Sequence, residues 1–451
     1  MLKTELAYKL ILVEERLNKI EIEGCRIGSI LSKFHENMYR NSDQRLSIVG
    51  FIKMLIAQWI KGLFLSKPNS EVFSNKILLS KITAKYHCSA LIDPIKEHFK
   101  DKAVMYTPES KNELIPYNFP KKFIPSNIWR FSKAILHHLI EIQNIYRCEG
   151  LEPNRLQLVF TLMIQLNSFN NWHSIFKVYR PAIIVVDFDR DNRNAPMILA
   201  AKKNTINTVT LVHGVINPPY GYWPLTANEI WCWGTFQKSQ LMAHGISEKQ
   251  IKVVGSPIVQ KISKSLEEKQ KSEIKTIGIG LNPMGDEYNH QLLSYLFEND
   301  DHIHFNWVVK LHPSMVKSKW MIDLEKENVS IHESDMLSIK DFFDAIDILV
   351  VGNSGIGYEA VVNEIPIWVY SPEKEGLGHD KVMIENGNCP DITDLENLRH
   401  HLYGLAYDSE YLASLLEKEK SFVLGEFYSC IEKEASNKII KAIEKELAYA
   451  V

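Results

Sequence analysis

The chain has 451 residues, a formal net charge of -3, 45% hydrophobic residues and 24% charged residues. This balance excludes an extensively disordered protein, and the lack of a basic excess argues against a general nucleic-acid binder. The length exceeds what one ordinary hydrophobic core accommodates, so two α/β domains with additional helices are expected.

Residues 1–70 predict an N-terminal helical region, because apolar residues recur at helical spacing through Leu6, Leu10 and Leu17. The N-terminus is charged throughout and lacks the apolar core of a signal peptide. The six cysteines include no Cys-x-x-Cys pair, so neither a zinc site nor a disulfide framework is indicated. A cytoplasmic protein with free thiols is therefore expected.

Residues 49–65 form the most apolar segment of this region. Lys53 and Lys61 interrupt the segment, and it is short for a membrane span. Two interpretations stay open. The segment is either a helix buried in the fold or an amphipathic helix that makes a peripheral contact with the inner face of the membrane.

Predicted strands and helices alternate along the chain after residue 70, and this alternation predicts a first Rossmann-like lobe over 71–260. Its predicted strands are apolar throughout and are separated by helices, which is typical of a parallel sheet covered on both faces. A helical insertion is predicted within 108–178, with its helices over 126–178. The predicted strands are 76–80, 103–107, 182–186, 208–212, 229–234 and 251–255.

A second series of alternating apolar strands and helices predicts a second Rossmann-like lobe over 261–400. The charged stretch 260–275 precedes it as an interdomain linker, and residues 401–451 predict C-terminal helices. The fold class is therefore α/β, with two parallel-sheet lobes and a cleft between them. The predicted strands of this lobe are 276–280, 306–310, 328–332, 347–351 and 366–370.

Polar residues that directly follow predicted strands are the candidate site residues, because ligands bind beyond the carboxyl ends of parallel strands. In the first lobe, His213 and Gly214 follow a strand, and a histidine titrates near neutrality while a glycine lets backbone approach a ligand. Asp187 ends another strand. It is either a general base or a cap for the next helix.

In the second lobe, Lys310, His312 and Pro313 lie at the end of a predicted strand. Side chains alternate along a strand, so Lys310 and His312 are expected on the same side and within reach of one phosphate. Proline fixes the turn that holds the histidine at the strand tip.

The loop 352–360 is a second candidate phosphate site, because small residues that open a helix offer backbone N–H groups to an anion. Its spacing is neither that of a Walker loop nor the dinucleotide-binding pattern. Glu373 follows the next strand, where it either holds ribose hydroxyls or stays in solvent. The candidate nucleotide ligands of the loop are Gly352, Asn353, Ser354, Gly355 and Glu359.

Three stretches carry a resemblance to a known group of enzymes. Residues 211–257, from LVHG to VVGSP, resemble the end of the N-terminal lobe of bacterial GT-B surface-polysaccharide transferases. The motifs KLHP and GNSGIGYEAVVNEIPIWV resemble the donor lobe of His-Pro enzymes, namely sialyl-, polysialyl- and Kdo transferases and teichoic-acid glycerophosphotransferases. The likeness covers roughly 73–107 and 180–375.

The resemblance implies a GT-B glycosyltransferase that moves a sugar from a nucleotide donor to a bacterial capsule or lipopolysaccharide acceptor, a glycan or glycolipid. His312 and Ser354 would bind the donor phosphate, His213 or Asp187 would act on the acceptor, and Gly255 would lie at the lobe junction near the nucleotide. No metal or other cofactor is expected. A CMP-sugar is favoured over a UDP-sugar, and the alternatives are a CDP-glycerol-type transferase, a UDP-sugar 2-epimerase-like enzyme and a non-catalytic sugar-nucleotide-binding subunit.

Overall fold

The structure is a computed structural model that divides into two compact units. The first comprises Met1–Ile258 with Lys433–Val451, and the second comprises Val259–Glu432. The described residues are 3–39, 74–81, 86–106, 125–216, 221–262, 275–281, 286–298, 305–313, 315–352, 354–370, 379–387 and 389–449. The apolar segment 49–65 lies outside them, so neither interpretation of it is tested.

The first unit begins with helices, as predicted, and with a short hairpin that the periodicity does not predict. Apolar residues of this region and of the following long helices pack with one face of the first sheet in a single core. The elements are α1 (Lys3–Leu17), β1 (Glu21–Ile22), β2 (Cys25–Arg26), α2 (Ile27–Ile30) and α3 (Ser32–Tyr39).

A parallel six-stranded sheet forms the centre of the first unit, with the strand order β4-β3-β5-β6-β7-β8. Every residue of β3, β4 and β5 is buried, which explains why these strands are apolar runs without alternation. The strands are β3 (Ile77–Ser80), β4 (Ala103–Tyr106), β5 (Ile183–Val186), β6 (Asn207–Leu211), β7 (Glu229–Cys232) and β8 (Ile251–Val253).

Helices connect these strands, and the two longest form the predicted insertion. Asn154 caps the second of them, because its side chain accepts a hydrogen bond from the backbone N–H of Gln157. The helices are α4 (Tyr86–Phe99), α5 (Pro125–Cys148), α6 (Arg155–Val178), α7 (Asn194–Lys203) and α8 (Thr235–Ala243), with 3-10 turns at Lys100–Lys102 and Glu248–Gln250.

The second unit contains another parallel six-stranded sheet, with the order β11-β10-β9-β12-β13-β14. Its last strand has only two residues, too few for a periodicity to reveal. The strands are β9 (Lys275–Gly280), β10 (Phe305–Lys310), β11 (Val329–His332), β12 (Ile348–Val351), β13 (Ile367–Tyr370) and β14 (Asp391–Ile392). The two parallel-sheet lobes that the sequence predicts are thus confirmed.

Helices connect the strands of the second unit, and the last helix returns to the first unit. There, the carboxylate of Glu446 accepts hydrogen bonds from Asn207 and Lys252 beside the first sheet. None of the described helices is both long and apolar enough to cross a membrane. The helices are α9 (Asp286–Glu298), α10 (Lys319–Asp323), α11 (Ile339–Ala345), α12 (Ile356–Val362), α13 (His379–Gly387), α14 (Leu395–Leu405), α15 (Ser409–Phe422) and α16 (Glu432–Tyr449), with a π-helical turn at Val423–Phe427.

Candidate functional site

A small hollow opens at the carboxyl edge of the second sheet, at the point where the strand order reverses. β9 lies between β10 and β12, so the chain leaves β9 toward one side of the sheet and later returns on the other side. In open parallel sheets this switch point is where ligands bind. Residues that line the hollow include Gly280, Leu281, Tyr288, Asn289, Gly352 and Tyr370.

Two tyrosines form an aromatic wall of this hollow. The rings of Tyr288 and Tyr370 stack with centroids 6.0 Å apart, and burial raises the pKa of Tyr370 to about 12. A phenol with that pKa stays protonated at neutral pH and can donate a hydrogen bond. The sequence did not single out these tyrosines. The small residues that end β9 at Gly280 were a signal that could have drawn attention to this edge.

His312 and Pro313 lie directly beyond β10, at the same edge. β10 ends at Lys310, and the backbone N–H of Leu311 still donates to the carbonyl of His332 on the next strand, at 2.9 Å. His312 is therefore held at the tip of a strand adjacent to β9, where its side chain is partly exposed. The structure thus places the predicted histidine one strand away from the hollow.

The ammonium group of Lys310 is turned toward backbone rather than toward open solvent. Its Nζ donates to the carbonyls of Ser334, at 3.0 Å, and Leu337, which accounts for two of its three donors. Burial lowers the pKa of Lys310, and the nearby carboxylate of Asp335 opposes this effect. Lys310 thus fixes the loop after β11 and places a positive charge near the end of β10.

The small-residue loop after β12 lies at the same edge, on the other side of β9. The backbone N–H of Ser354 donates to the carbonyl of Gly352 at 2.8 Å, and the Ser354 hydroxyl accepts from the N–H of Ile356 at 3.5 Å. The N-cap residue of α12 is Gly355, and no side chain caps the helix, so Ser354 contacts the first turn only through this long hydrogen bond. A Cβ on Gly280 would lie 3.1 Å from Ile356, so glycine at the end of β9 lets this turn approach closely.

Glu359 is the carboxylate nearest to this loop in sequence. It lies on α12, one turn beyond Gly355, and burial raises its pKa to about 7. A carboxyl group with that pKa can hold or release a proton near neutrality. The two remaining nucleotide-binding predictions of this lobe, Asn353 and Glu373, lie outside the described residues.

The first unit carries its own polar cluster, at the carboxyl edge where β5 and β6 lie side by side. The Nδ1 atom of His213 lies 2.7 Å from the backbone carbonyl of Asp187. The Tyr222 hydroxyl lies 2.7 Å from the same Nδ1 atom and also accepts from the backbone N–H of His213 at 2.7 Å. A carbonyl can only accept, so the contact with Asp187 favours the tautomer with the proton on Nδ1 and the lone pair on Nε2, whereas a proton donated by Tyr222 to Nδ1 favours the other tautomer.

The acidic loop after β5 is largely structural. The Asp187 side chain is fully buried, and the backbone N–H groups of Arg193 and Asn194 donate to Asp191 at the start of α7. The N-cap residue of this helix is Arg193, and the side chain that accepts from its first backbone N–H groups is that of Asp191 rather than Asp187. The carboxylate of Asp189 accepts from two backbone N–H groups, and burial raises its pKa.

Sequence reasoning missed Lys81, which follows β3 at this edge. Its ammonium donates to the hydroxyl of Ser89 and to the carboxylate of Asp93 at 3.0 and 2.9 Å. Gly255 lies just beyond β8 and has φ at +88, a left-handed conformation that favours glycine.

Two glycines allow a test that separates a ligand contact from a folding role. A Cβ on Gly214 would meet nothing within 4 Å, and one on Gly352 would meet only the Tyr370 carbonyl at 3.5 Å, an ordinary contact. We expect Gly214→Ala and Gly352→Ala to keep the melting temperature of the protein within a few degrees. The KM for the ligand that binds at each edge should rise at least tenfold, because the added methyl group occupies space that this ligand needs. Thermal melts and steady-state kinetics measure the two effects.

The matched control for these variants is Gly404→Ala on α14, where a Cβ also meets nothing within 4 Å. It should gain up to about 1 kcal/mol of stability, because alanine is the better helix former. Its kinetics should stay unchanged. Wild-type KM values for Gly214→Ala and Gly352→Ala would show that no ligand approaches these glycines.

Among the described residues, no group of three or more histidine, cysteine, aspartate or glutamate side chains is arranged to hold a metal ion. No protein-family model matches the sequence, and neither does any curated protein sequence.

Solved structures do match. The UDP-GlcNAc 2-epimerase of Neisseria meningitidis, bound to UDP-GlcNAc, is 14% identical and aligns with a TM-score of 0.50 over 82% of this chain and 99% of its own. A Listeria monocytogenes protein assigned as a UDP-N-acetylglucosamine 2-epimerase is 13% identical, with a TM-score of 0.52 over 83% and 97%. A glycosyltransferase from Rickettsia africae is 13% identical, with a TM-score of 0.48 over 84% and 99%.

The fold is GT-B. Two parallel α/β sheets in succession, matched over nearly the full length of the first two proteins, decide this assignment. At these identities the likeness establishes the fold alone. Each unit of this GT-B chain carries a polar cluster at a carboxyl sheet edge, and those clusters are where the chemistry of the chain has to be sought.

Proposed function

We propose that the protein is a glycosyltransferase that takes a sugar from a nucleotide donor bound at the switch point of the second sheet. The observation that supports this proposal is that His312 and Ser354 follow β10 and β12, the two strands that flank β9 at the switch point of the sheet. A donor phosphate held there would meet a histidine, a hydroxyl and backbone N–H groups from opposite sides. The resemblance of both motifs to His-Pro transferases supports the same assignment.

The chemistry of this edge suits departure of a nucleotide. As the bond between sugar and phosphate breaks, negative charge develops on the phosphate oxygens. Preorganised donors stabilise such charge. His312 would donate to the phosphate, and Ser354 would offer its hydroxyl. The positive charge of Lys310, near the end of β10, would further stabilise the charge on the phosphate. Glu359 or Tyr370 would form a hydrogen bond with a hydroxyl of the nucleoside or sugar.

The acceptor would be activated by the first unit. With the Nδ1 proton of His213 donated to the Asp187 carbonyl, Nε2 is the atom that would take the proton from an acceptor hydroxyl. Asp187 would act through its backbone in this arrangement, and its buried carboxylate is a weaker candidate for the base. The proposed acceptor is a bacterial surface glycan or glycolipid.

A donor panel in EDTA tests this function. We propose that no metal is required and favour a CMP-sugar, because one Lys, one His and a loop neutralise a monophosphate leaving group more completely than a diphosphate. We therefore expect CMP release from a CMP-sugar in EDTA, with slower turnover of UDP-sugars and CDP-polyols. Released nucleotide is measured by chromatography, with His312→Ala as the blank.

Two outcomes would contradict parts of this proposal. Turnover of UDP-sugars alone would overturn the choice of CMP, and loss of all activity in EDTA would overturn metal independence. A protein that binds sugar nucleotides without releasing nucleotide would instead be a non-catalytic subunit.

A second candidate is a UDP-sugar 2-epimerase, favoured by the names of two of the solved structures that align with this chain. This activity needs no acceptor. Incubating UDP-GlcNAc with the protein alone and analysing the sugar by NMR distinguishes the two candidates, because only an epimerase yields the 2-epimer.

A further inference from the structure

One long helix of the first unit exposes an apolar stripe to solvent. On α5, the side chains of Trp129, Leu136 and Ile140 are 76%, 63% and 73% exposed. They are spaced by seven and four residues, so they lie on the same face of the helix. Isolated exposed apolar residues are common on protein surfaces. Three large apolar side chains along one helix face instead indicate a surface that binds another molecule or a membrane.

The opposite face of α5 fixes the helix firmly in the fold. Phe131, Ile135, Ile142 and Tyr146 are almost fully buried, at 1%, 0%, 0% and 0%, and belong to the core of the first unit. The hydroxyl of Tyr146 also lies 2.6 Å from Nε2 of the buried His35. The exposed stripe therefore belongs to a rigid, well-anchored helix.

The charged residues of α5 that lie on the same face as the stripe are all basic. At 3.6 residues per turn, Lys133 and Arg147 lie with the three apolar residues within an arc of about 60°. The single acidic residue of the helix, Glu141, lies roughly 80° beyond this arc and contacts His138 at 3.2 Å. The face that carries Trp129, Leu136 and Ile140 is thus apolar and basic.

We propose that this face of α5, the α5 stripe (Trp129, Lys133, Leu136, Ile140 and Arg147), docks onto the surface of an anionic lipid bilayer. Tryptophan settles at the boundary between headgroups and acyl chains, and lysine and arginine extend their charges to anionic headgroups. A second copy of the chain fits less well, because a two-fold contact would bring the same basic residues against each other. This surface is distinct from both sheet-edge clusters.

Vesicle binding tests the proposal with the full-length protein. Vesicles of phosphatidylcholine alone and of phosphatidylcholine with phosphatidylglycerol are sedimented with wild type and with W129S/L136S/I140S. We expect wild type to bind the anionic vesicles, more weakly as salt rises, and the triple variant to lose at least tenfold in affinity. K133E/R147E should lose most of the preference for anionic vesicles.

The matched control is V178S/V316S/M336S, which removes side chains that are 69%, 77% and 77% exposed elsewhere. It should bind vesicles like wild type. If wild type binds no vesicles, or if W129S/L136S/I140S binds as well as the control, the proposal is overturned. The second result would assign membrane binding to another part of the chain.

Site-specific labelling places the contact on the helix itself. Cys148 is exposed and the other five cysteines are buried, so a Cys148→Ser background leaves the surface without a reactive thiol. A bimane on Ile140→Cys in that background should shift to the blue with anionic vesicles, and one on Val178→Cys should not.

Two further outcomes of the labelling experiment contradict the proposal. Slow labelling of Ile140→Cys in lipid-free protein would show that another segment of the chain covers the stripe. Dissociation of a dimer by W129S/L136S/I140S, measured by light scattering, would show that a second copy covers it.

Discussion

Replacing His312 with alanine is expected to lower the turnover of the sugar nucleotide by roughly 10²–10³-fold, with little change in thermal stability. The loss follows from removing a donor aimed at the charge that develops on the leaving phosphate. Stability should hold, because the side chain is partly exposed at a strand tip and the turn is held by backbone hydrogen bonds on both sides. Single-turnover kinetics and a thermal melt measure the two quantities.

The control for this variant is His332→Ala. His332 ends β11, one strand farther from the hollow, and its register partner on β10 is Lys310. It is a partly buried histidine at the same sheet edge, so it controls for the loss of an imidazole that lies farther from the switch point. A loss of activity that is equal in both variants would remove His312 from the proposed role.

Ser354→Ala tests the proposed phosphate contact on the other side of β9. Its hydroxyl accepts a long hydrogen bond, at 3.5 Å, from the backbone N–H of Ile356, so little stability depends on it. Loss of a hydrogen bond to a charged phosphate costs about 1.5–3 kcal/mol. This cost should appear mainly in the affinity for the nucleotide, in contrast to the loss of turnover expected for His312→Ala.

Most strands were predictable because they are short and largely apolar runs, such as Ile183–Val186 and Ile348–Val351. The predicted limits of the eleven longer parallel strands differ from the observed ones by no more than two residues. Such runs arise because strands in a parallel sheet are buried on both faces, so the pattern in the sequence directly reports the environment. The hairpin β1–β2 and the strand β14 were not predicted, because each of these strands has only two residues and so shows no periodicity.

The strand tips of the candidate sites were predictable for the same reason, but the contacts around them were not. His213 and His312 follow strands in the sequence, and that position alone identifies a carboxyl edge. The hollow beside β9 depends on strand order and on Tyr288, which lies on a helix without any motif. The carbonyls that hold Lys310 come from residues 24 and 27 positions away. Only the folded chain brings them together.

A buried ion pair that no sequence pattern reveals joins the N-terminal helix to the acidic loop after β5. The carboxylate of Glu14 on α1 accepts from Nη2 of Arg190 at 2.7 Å, across 176 positions of the chain. Both side chains are almost fully buried, with 0% and 2% exposed. Arg190 belongs to the loop that directly follows Asp187. The N-terminal helix therefore braces the loop whose backbone carbonyl orients His213.

Glu14→Gln is expected to destabilise the first unit by about 3–5 kcal/mol, because it removes the charged carboxylate that accepts from the buried guanidinium of Arg190. The double variant Glu14→Met with Arg190→Met should recover most of this loss, since replacing both members of a buried pair by apolar residues is often nearly neutral. Hydrogen exchange followed by mass spectrometry measures the effect locally. Amides of α1 and β5 should exchange faster in Glu14→Gln, while those of β9 and β12 in the second unit provide an internal reference. Unchanged exchange in α1, or a double variant as unstable as the single one, would show that the fold does not depend on this pair.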